Sequence, residues 1–537
     1  MKKIIKYLFL LTGGSFILAS CNDFLDREPL DSVTPDNFFF TENDLAAYAV
    51  KHYNFTTHEG FNAGIWKNDN ATDNQAATDY DKKWIPGQWK VPEAYDNPAS
   101  NDPWYFSAIR EANYFLETVV PRFEKGEIEG SETNIKHYIG EMYFLRAKNY
   151  LSKLETFGDF PIIKNTLPDE SESLIQASKR APRYKVAHFI LEDLDQAISL
   201  LTNNISGGKN RITKNAALLL KSRAALFEAS WLTYHKGTAL VPGGPGWPGK
   251  AEDIADFNID TEIAFFLKEA KAAAKEVIGN AALVQNTAKD CMDETVKTDE
   301  DKYKMSNPYF AQFSANSLEG YSEILMWRAY NLLDYKIVHS APFYIRVGGN
   351  TGFTRQYIES FLCRDGKPIY ATDQYKGDES LSDVRKNRDL RLQLFLMTSG
   401  ETLSPNVMNG TPDLLPEVPQ LLDITEKRCV TGYQVRKGLS GNWYRDGNTA
   451  IEGCPVYRAA EAYLNYIEAD CMEHNGTSIG SEAAGYWGDL RERAGLPRDY
   501  TVTVNNTDLS KELDWAIYSA GKLVSPLLYN IRRERRC

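Results

Sequence analysis

Residues 135–161, IKHYIGEMYFLRAKNYLSKLETFGDFP, indicate the fold of this chain. Their apolar side chains recur every three or four residues, which is the spacing of one face of a helix. They are Ile135, Tyr138, Ile139, Met142, Leu145, Leu151 and Leu154. Gly158 and Pro161 then predict the end of the helix. A long helix with one apolar face is stable only when that face packs against other elements, so the stretch predicts a multi-helix scaffold.

The same apolar pattern recurs before and after this stretch. Thr213 is a plausible N-cap for ALLLKSRAALFEASW, and similar apolar stripes lie within 104–120, 184–201, 263–278, 456–471 and 482–494. We therefore predict a mostly α fold of stacked antiparallel helix pairs, like tetratricopeptide repeats but without a strict repeat period. Between about 280 and 450 the pattern loosens into short segments and turns, which predicts an irregular lobe laid on the scaffold.

The N-terminus has the three parts of a secretory signal. Lys2, Lys3 and Lys6 form a basic start, residues 7–18 are mostly apolar, and small residues precede Cys21. The order Leu-Ala-Ser-Cys resembles the bacterial lipobox, so we predict that residues 1–20 are a signal peptide and that Cys21 carries lipid. The alternative is an ordinary signal that happens to be followed by a cysteine. Two or more lipid chains would hold the protein stably at a membrane.

The charge and the cysteines limit the function classes. The formal net charge is −12, and it becomes −15 without residues 1–20, which hold three lysines and no acid. So acidic a surface repels phosphate backbones, which argues against a nucleic-acid partner. The remaining six cysteines are scattered with no Cys-x-x-Cys pair, and their pairing is open.

Several sequence blocks carry a family resemblance. They are CNDFLDREPLDSVTPDNFF (21–39), GEMYFLRAKNYLSKLETFGDFPII (140–163), RITKNAALLLKSRAALFEASW (211–231), CPVYRAAEAYLNYIEAD (454–470) and LRERAGLP (490–497). In this order, behind a lipobox, they resemble the SusD/RagB family of outer-membrane nutrient-binding lipoproteins of Bacteroidetes. The resemblance implies a tetratricopeptide-like helical scaffold (SusD-like fold), with an N-terminal region over 21–230 and a RagB/SusD region over 280–537.

The resemblance also implies a function. A protein of this kind is lipid-anchored on the outer face of the outer membrane, where it captures a nutrient and delivers it to a SusC-like TonB-dependent transporter. The nutrient is most often an oligosaccharide, and in the RagB type it is a peptide. No cofactor and no enzymatic activity are implied.

Other function classes stay open. The chain has no His-Glu-x-x-His or Gly-x-Ser-x-Gly motif, but a pair among its 73 acids would suffice for a surface glycoside hydrolase. A helical-repeat adaptor that binds only protein is the third interpretation. Asp69, Asp73, Asp79 and Asp81 would suit calcium, yet they lack the EF-hand glycine and glutamate, so a solvated loop is favoured and no metal site is predicted.

Charged residues recur beside the apolar stripes of the family blocks. They are Arg146, Arg458, Glu461, Arg491 and Arg493. Helical spacing next to core positions is typical of packing and of ion pairs within a scaffold, so we do not assign these residues to a ligand site.

The ligand site is predicted from tryptophans. Four of the ten tryptophans lie within 66–104, and three of them, Trp66, Trp84 and Trp89, fall in a stretch rich in Asn, Asp, Gln and Pro. Such stretches form surface loops, where a tryptophan packs or binds something. Aromatic planes suit sugar rings, so these residues predict a glycan platform. Possible further members are Tyr80, Tyr95, Trp327 and Tyr309. The alternative is that the loop tryptophans fold back over the core.

The last residues, LLYNIRRERRC (527–537), resemble the beginning of a family motif that continues into a further helix. We therefore expect a truncated chain whose last scaffold helix lacks its partner.

Overall fold

A computed structural model describes residues 38–59, 64–79, 104–287, 307–334, 336–399, 402–404, 413–414, 420–440 and 449–537. Several predicted features lie outside these residues: the signal peptide, the lipidation site and part of the aromatic platform, namely Cys21, Tyr80, Trp84, Trp89 and Tyr95. None of the helices in the described ranges combines the length and the apolar character that crossing a bilayer requires.

Helices dominate the described residues. In chain order they are α1 (Glu42–Lys51), α2 (Ser107–Glu124), α3 (Glu132–Phe157), α4 (Ser171–Ala177), α5 (Arg183–Leu200), α6 (Lys214–His235), α7 (Ile259–Asn280), α8 (Pro308–Ala311), α9 (Ala341–Val347), α10 (Arg355–Ser360), α11 (Leu381–Arg385), α12 (Leu390–Phe395), α13 (Ala460–Glu473), α14 (Ser481–Arg493), α15 (Thr501–Asn505) and α16 (Pro526–Arg536). The mostly α class predicted from the sequence is confirmed.

The long helices form the scaffold by packing against one another, some with their neighbours in the chain and some with distant helices. Helix α3 contacts α2 and α5, α6 contacts α5 and α7, and α13 contacts α7, α14 and α16. One large apolar core runs through all of these helices. This arrangement agrees with the predicted stack of helix pairs.

Local sequence explains the ends of two scaffold helices. Helix α3 stops where Gly158 adopts a positive φ of 72° and donates its backbone N–H to the carbonyl oxygen of Leu154. At the start of α6, the Thr213 hydroxyl accepts a hydrogen bond from the backbone N–H of Ala216, at 3.2 Å. Both the predicted stop and the predicted N-cap are confirmed.

The stripe at 456–471 is only partly helical. Residues Cys454–Arg458 form strand β6, which pairs antiparallel with β2 (Ile324–Arg328), and α13 begins after it. A short apolar run is compatible with a strand and with a helix. Here the residues form a strand because β2 supplies backbone hydrogen-bonding partners. The predicted helix was therefore wrong over its first residues.

The second lobe is irregular, as predicted. Within it lie β2 and three very short strands, β3 (Thr351–Phe353), β4 (Thr402–Ser404) and β5 (Asp413–Leu414), and three more short strands lie elsewhere in the chain: β1 (Gln75–Ala77), β7 (Tyr518–Ser519) and β8 (Lys522–Leu523). They form two-stranded antiparallel sheets, β1 with β3, β4 with β5 and β7 with β8. The pairing of β1 with β3 joins the segment after Trp66 to the second lobe. It therefore places Trp66, a predicted site residue, next to that lobe.

Charged residues beside the apolar stripes form ion pairs within the scaffold. Arg146 forms a bidentate ion pair with Asp193 across α3 and α5, with both N–O distances at 2.8 Å. A second buried pair, between Arg183 and Glu228, joins α5 to α6 at 2.7 Å. Arg491 differs, because it donates to the backbone carbonyl oxygen of Pro497 and has no paired carboxylate among the described residues.

Helix α16 is tied to the scaffold on two sides. Its apolar residues Leu527, Leu528 and Ile531 are buried in the main core. Arg532 and Arg535 both form ion pairs with Glu468 of α13. Helix α16 is therefore packed against the scaffold, and the missing partner helix stays a prediction.

Candidate functional site

Trp66, the described member of the predicted loop tryptophans, is buried. It lies in a short 3-10 segment, Ile65–Ala71, with 7% of its surface exposed. The ring packs in a cluster with Ala341, Tyr344, Ile345, Met397 and Leu439. Trp66 thus folds back onto the second lobe. This is the position expected if a loop tryptophan covers the core, and not the position of a residue on a water-facing platform.

Trp327 and Tyr309 are also buried, and in other clusters. Trp327 packs with Leu318 and Ile324, and its indole N–H donates to a Glu319 carboxylate oxygen at 3.1 Å. Tyr309 packs with Phe310, Phe313 and Phe395. The structure therefore does not assemble Trp66, Trp327 and Tyr309 into one exposed aromatic surface, because each ring gains more by burial in its local core.

A cavity of about 510 Å³ lies between the scaffold and the second lobe. Its wall includes five aromatic side chains, Trp66, Phe313, Phe353, Tyr357 and Phe395. Cavities of about 300–1,000 Å³ with apolar walls and a few placed polar groups are typical of small-molecule sites. Of the predicted aromatic residues that the structure describes, Trp66 is the one that reaches this cavity.

Polar side chains complete the wall. Asn68 and Asp69 are exposed at the mouth of the cavity, and Gln75 lies deeper. The Gln75 side chain is held in place, since its amide nitrogen donates to the Trp66 carbonyl oxygen and to the Thr351 hydroxyl, at 3.0 and 2.8 Å. His58 stays neutral, because burial and the nearby His339 lower its pKa to about 3.

Lys437 brings a cationic group into the wall. Its ammonium nitrogen lies 4.5 Å from the centre of the Phe313 ring and 5.2 Å from that of Phe395. Among the described residues, no carboxylate pairs with this ammonium group. Burial is the largest cause that lowers the pKa of Lys437 to about 7, and the positive charge of Arg458 adds to it.

The acids around the cavity are already engaged. Glu323 is shared by Arg458 and Arg493, at 2.6 and 2.7 Å. Glu468 is likewise shared by Arg532 and Arg535, at 3.2 and 2.9 Å. Two guanidinium groups on one carboxylate leave a local excess of positive charge.

The two acids that line the cavity itself do not remove this excess. Glu461 is held by both nitrogens of the Arg223 fork, at 2.6 and 2.7 Å. Asp69 lies at the exposed mouth, where one of its carboxylate oxygens accepts a hydrogen bond from Asn74 at 3.2 Å. The interior of the cavity is therefore positive although the protein as a whole is acidic.

Two family models match this chain. The model described as the SusD family matches residues 296–537, and the model described as starch-binding associating with outer membrane matches residues 23–226. The chain belongs to the SusD family. The family resemblance drawn from the sequence blocks is thereby confirmed.

Curated relatives of this SusD-family protein occur in Formosa agariphila. SusD-like protein P38 is 27% identical over 203 residues, which is 37% of each chain. SusD-like protein P2 is 26% identical over 258 residues, 47% of this chain and 45% of the relative. The chain thus spans less than half the length of these curated relatives.

Solved structures show the same fold. A SusD-like protein from Bacteroides fragilis superimposes with a TM-score of 0.61 at 21% identity, covering 95% of this chain and 86% of its own. A SusD-like carbohydrate binding protein from the same species gives a TM-score of 0.57 at 17% identity, with 93% and 84% coverage. A structure with xylogluco-oligosaccharide gives 0.50 at 16% identity, with 92% and 79% coverage.

Sequence reasoning missed most of this cavity in the SusD-family protein. Lys437, Phe313 and Phe395 come from distant parts of the chain, and no local motif marks them as neighbours. The sequence analysis also did not single out Trp515, which is the most exposed of the described tryptophans at 75%. Trp515 lies next to the β7–β8 hairpin, which carries the exposed Leu523. Four aspartates were considered for calcium, and no metal-binding group of His, Cys, Asp or Glu occurs among the described residues.

Proposed function

We propose that this SusD-family protein binds oligosaccharides at the cell surface and delivers them to a SusC-like TonB-dependent transporter. The observation that carries the proposal is the cavity of about 510 Å³, with five aromatic side chains and two amide side chains in its wall. Aromatic faces pack against the C–H faces of sugars, and amides exchange hydrogen bonds with hydroxyl groups. Together they match the two kinds of surface that a sugar ring offers.

The relatives support a carbohydrate ligand. One matching family model is described as starch-binding, one similar structure is described as carbohydrate binding, and another contains xylogluco-oligosaccharide. The same family description includes association with the outer membrane. The predicted lipid on Cys21 would supply that association, and a surface-anchored binder needs a transporter to bring its ligand inside.

The first experiment is a binding screen on the purified protein. Neutral oligosaccharides, including malto- and xylogluco-oligosaccharides, and acidic ones are screened, and hits are measured by calorimetry. A dissociation constant in the micromolar range is expected, since a ligand that is handed on must also dissociate, and this corresponds to about −8 kcal/mol. Binding of peptides with no binding of any oligosaccharide would instead favour the RagB type of function.

Two variants locate the site. Asn68→Trp places a bulky side chain at the exposed mouth of the cavity without cutting into a packed core, and should weaken binding by about tenfold or more. Trp515→Ala changes the exposed hairpin region and should leave binding unchanged. The reverse pattern would move the site to the hairpin and contradict the cavity assignment.

A catalytic function is tested in the same preparation. The protein is incubated with each oligosaccharide that it binds, and new reducing ends are measured over time. Unchanged ligand is expected from a binding protein. Release of reducing ends at a rate proportional to protein concentration would instead support the surface glycoside hydrolase.

A further inference from the structure

We propose that the cavity selects oligosaccharides that carry a carboxylate on a sugar ring, with Lys437 as the counter-ion. This inference rests on the proposed oligosaccharide binding and names the substrate class of the same site. It predicts uronic-acid units as the preferred ligands.

The first step is the position of the ammonium group. The Lys437 side chain reaches the cavity over two aromatic faces, those of Phe313 and Phe395. Aromatic faces stabilise a cation less than a hydrogen-bonded carboxylate does. The group therefore retains three N–H donors for a ligand within the cavity.

The second step is the charge around it. Among the described residues, the charges that act most strongly on Lys437 are those of Arg458, Arg391, Asp69 and Glu323. Both guanidinium groups oppose the ammonium charge. Glu323 is already shared by two arginines, and Asp69 lies at the exposed mouth. A bound anion would thus supply the missing negative charge.

The third step is the kind of anion. The cavity wall is largely aromatic, so the anionic group has to belong to a molecule with a ring face to pack against Trp66 or the phenylalanines. A single ammonium group matches a singly charged carboxylate. A long polyanion is disfavoured, because the protein as a whole carries a net charge of −12 and repels it.

The test is calorimetry on the full chain with short oligomers of galacturonate, glucuronate and mannuronate, each beside its methyl ester. The ester keeps the sugar and removes the charge. The wild type should bind at least one acid about tenfold more tightly than its ester. Lys437→Met should abolish this preference, and Lys437→Arg should keep it. Lys268→Met, at an exposed lysine of α7, is the matched control and should behave like the wild type.

The outcomes separate this inference from the proposed function. If the wild type binds the esters or the neutral oligosaccharides as well as the acids, oligosaccharide binding stands and the carboxylate preference is wrong. A preference that persists in Lys437→Met also contradicts the inference. If no oligosaccharide of either kind binds, the proposed function itself is wrong and this inference falls with it. Thermal unfolding of each variant establishes that it is folded.

Discussion

The Lys437 ammonium nitrogen lies 4.5 Å from the centre of the Phe313 ring, and no carboxylate in the described part of the chain pairs with it. Lys437 is partly buried, and a partly buried cation that only aromatic faces contact destabilises the fold. Such a conflict between stability and local environment is typical of functional sites.

Lys437→Met should stabilise the protein at pH 6 by about 1–2 kcal/mol, because it removes a partly buried charge that has no counter-ion among the described residues. The pKa of Lys437 is lowered to about 7 in the folded state, below its value of 10.5 when exposed. The unfolded state therefore binds more protons between these values, and the wild type becomes more stable as the pH rises from 7 towards 10. The gain from the substitution should shrink over the same range.

Urea unfolding at pH 6 and pH 9 measures this effect. Lys268→Met serves as the control, since its lysine is exposed and should change stability little at either pH. An equal gain for Lys437→Met at both pH values would contradict the prediction.

Binding of an acidic oligosaccharide should weaken with rising pH. Above pH 7, Lys437 loses its proton, so between pH 6.5 and 8.5 the affinity should fall by about tenfold or more. Near pH 8, binding should take up a proton, because the bound carboxylate raises the pKa of the lysine. Calorimetry in two buffers of different ionisation enthalpy detects this uptake. The prediction would be contradicted if the wild type took up no proton on binding, or if Lys437→Met took up one.

Neighbouring residues 192 and 193 should differ sharply in their effect on stability. Asp193→Ala leaves the buried Arg146 without its carboxylate and should cost about 3–5 kcal/mol. Glu192→Ala removes only an exposed ion pair with Lys164, at 3.5 Å, and should cost less than about 1 kcal/mol. Chemical unfolding of both variants compares them. Similar losses of unfolding free energy in the two variants would contradict the larger contribution of the buried Arg146–Asp193 pair.

The predicted loop tryptophans should separate into two kinds. Trp66→Ala should lower stability by about 3–5 kcal/mol because its ring is buried, and should also weaken glycan binding at the cavity wall. Trp84→Ala and Trp89→Ala should weaken binding up to about tenfold with little change in unfolding, if their loops form the platform. Binding and unfolding are measured on the same preparations. Normal binding by all three folded variants would place the ligand elsewhere.

Cys21→Ala should abolish lipidation. The wild type should incorporate radiolabelled palmitate and sediment with outer membranes, whereas the variant should take up no label and appear in the soluble fraction. A lipid anchor of two or more chains is stable, so its loss should be nearly complete. Membrane association of the unlabelled variant would argue for another anchor.

Much of the scaffold was predictable from single helices. The apolar spacing and Gly158 defined α3 to within three residues at its start, and Thr213 marked the start of α6. The error at Val456 shows the limit of periodicity. Val456 lies in strand β6, which forms because it pairs with β2. The residues of β2 lie more than a hundred positions earlier in the chain.

The site was less predictable than the scaffold. Composition and local pattern identified Trp66 as a residue of interest, but not that its ring is covered by Tyr344 and Leu439. Burial depends on which surfaces meet, and those surfaces come from separate segments. The exposed Trp515 was missed for the same reason, because exposure is a property of the assembled chain.

The helical class, the family and the order of the regions could be predicted from the sequence, since they follow from short-range apolar spacing and from blocks along the chain. The shared cavity of Lys437, Phe313 and Trp66, and the binding of Glu323 and Glu468 by arginines, became visible only in the folded chain. The reason is physical. Helix formation depends on contacts three or four residues apart, whereas a pocket and its charge depend on side chains that folding brings together from hundreds of residues away.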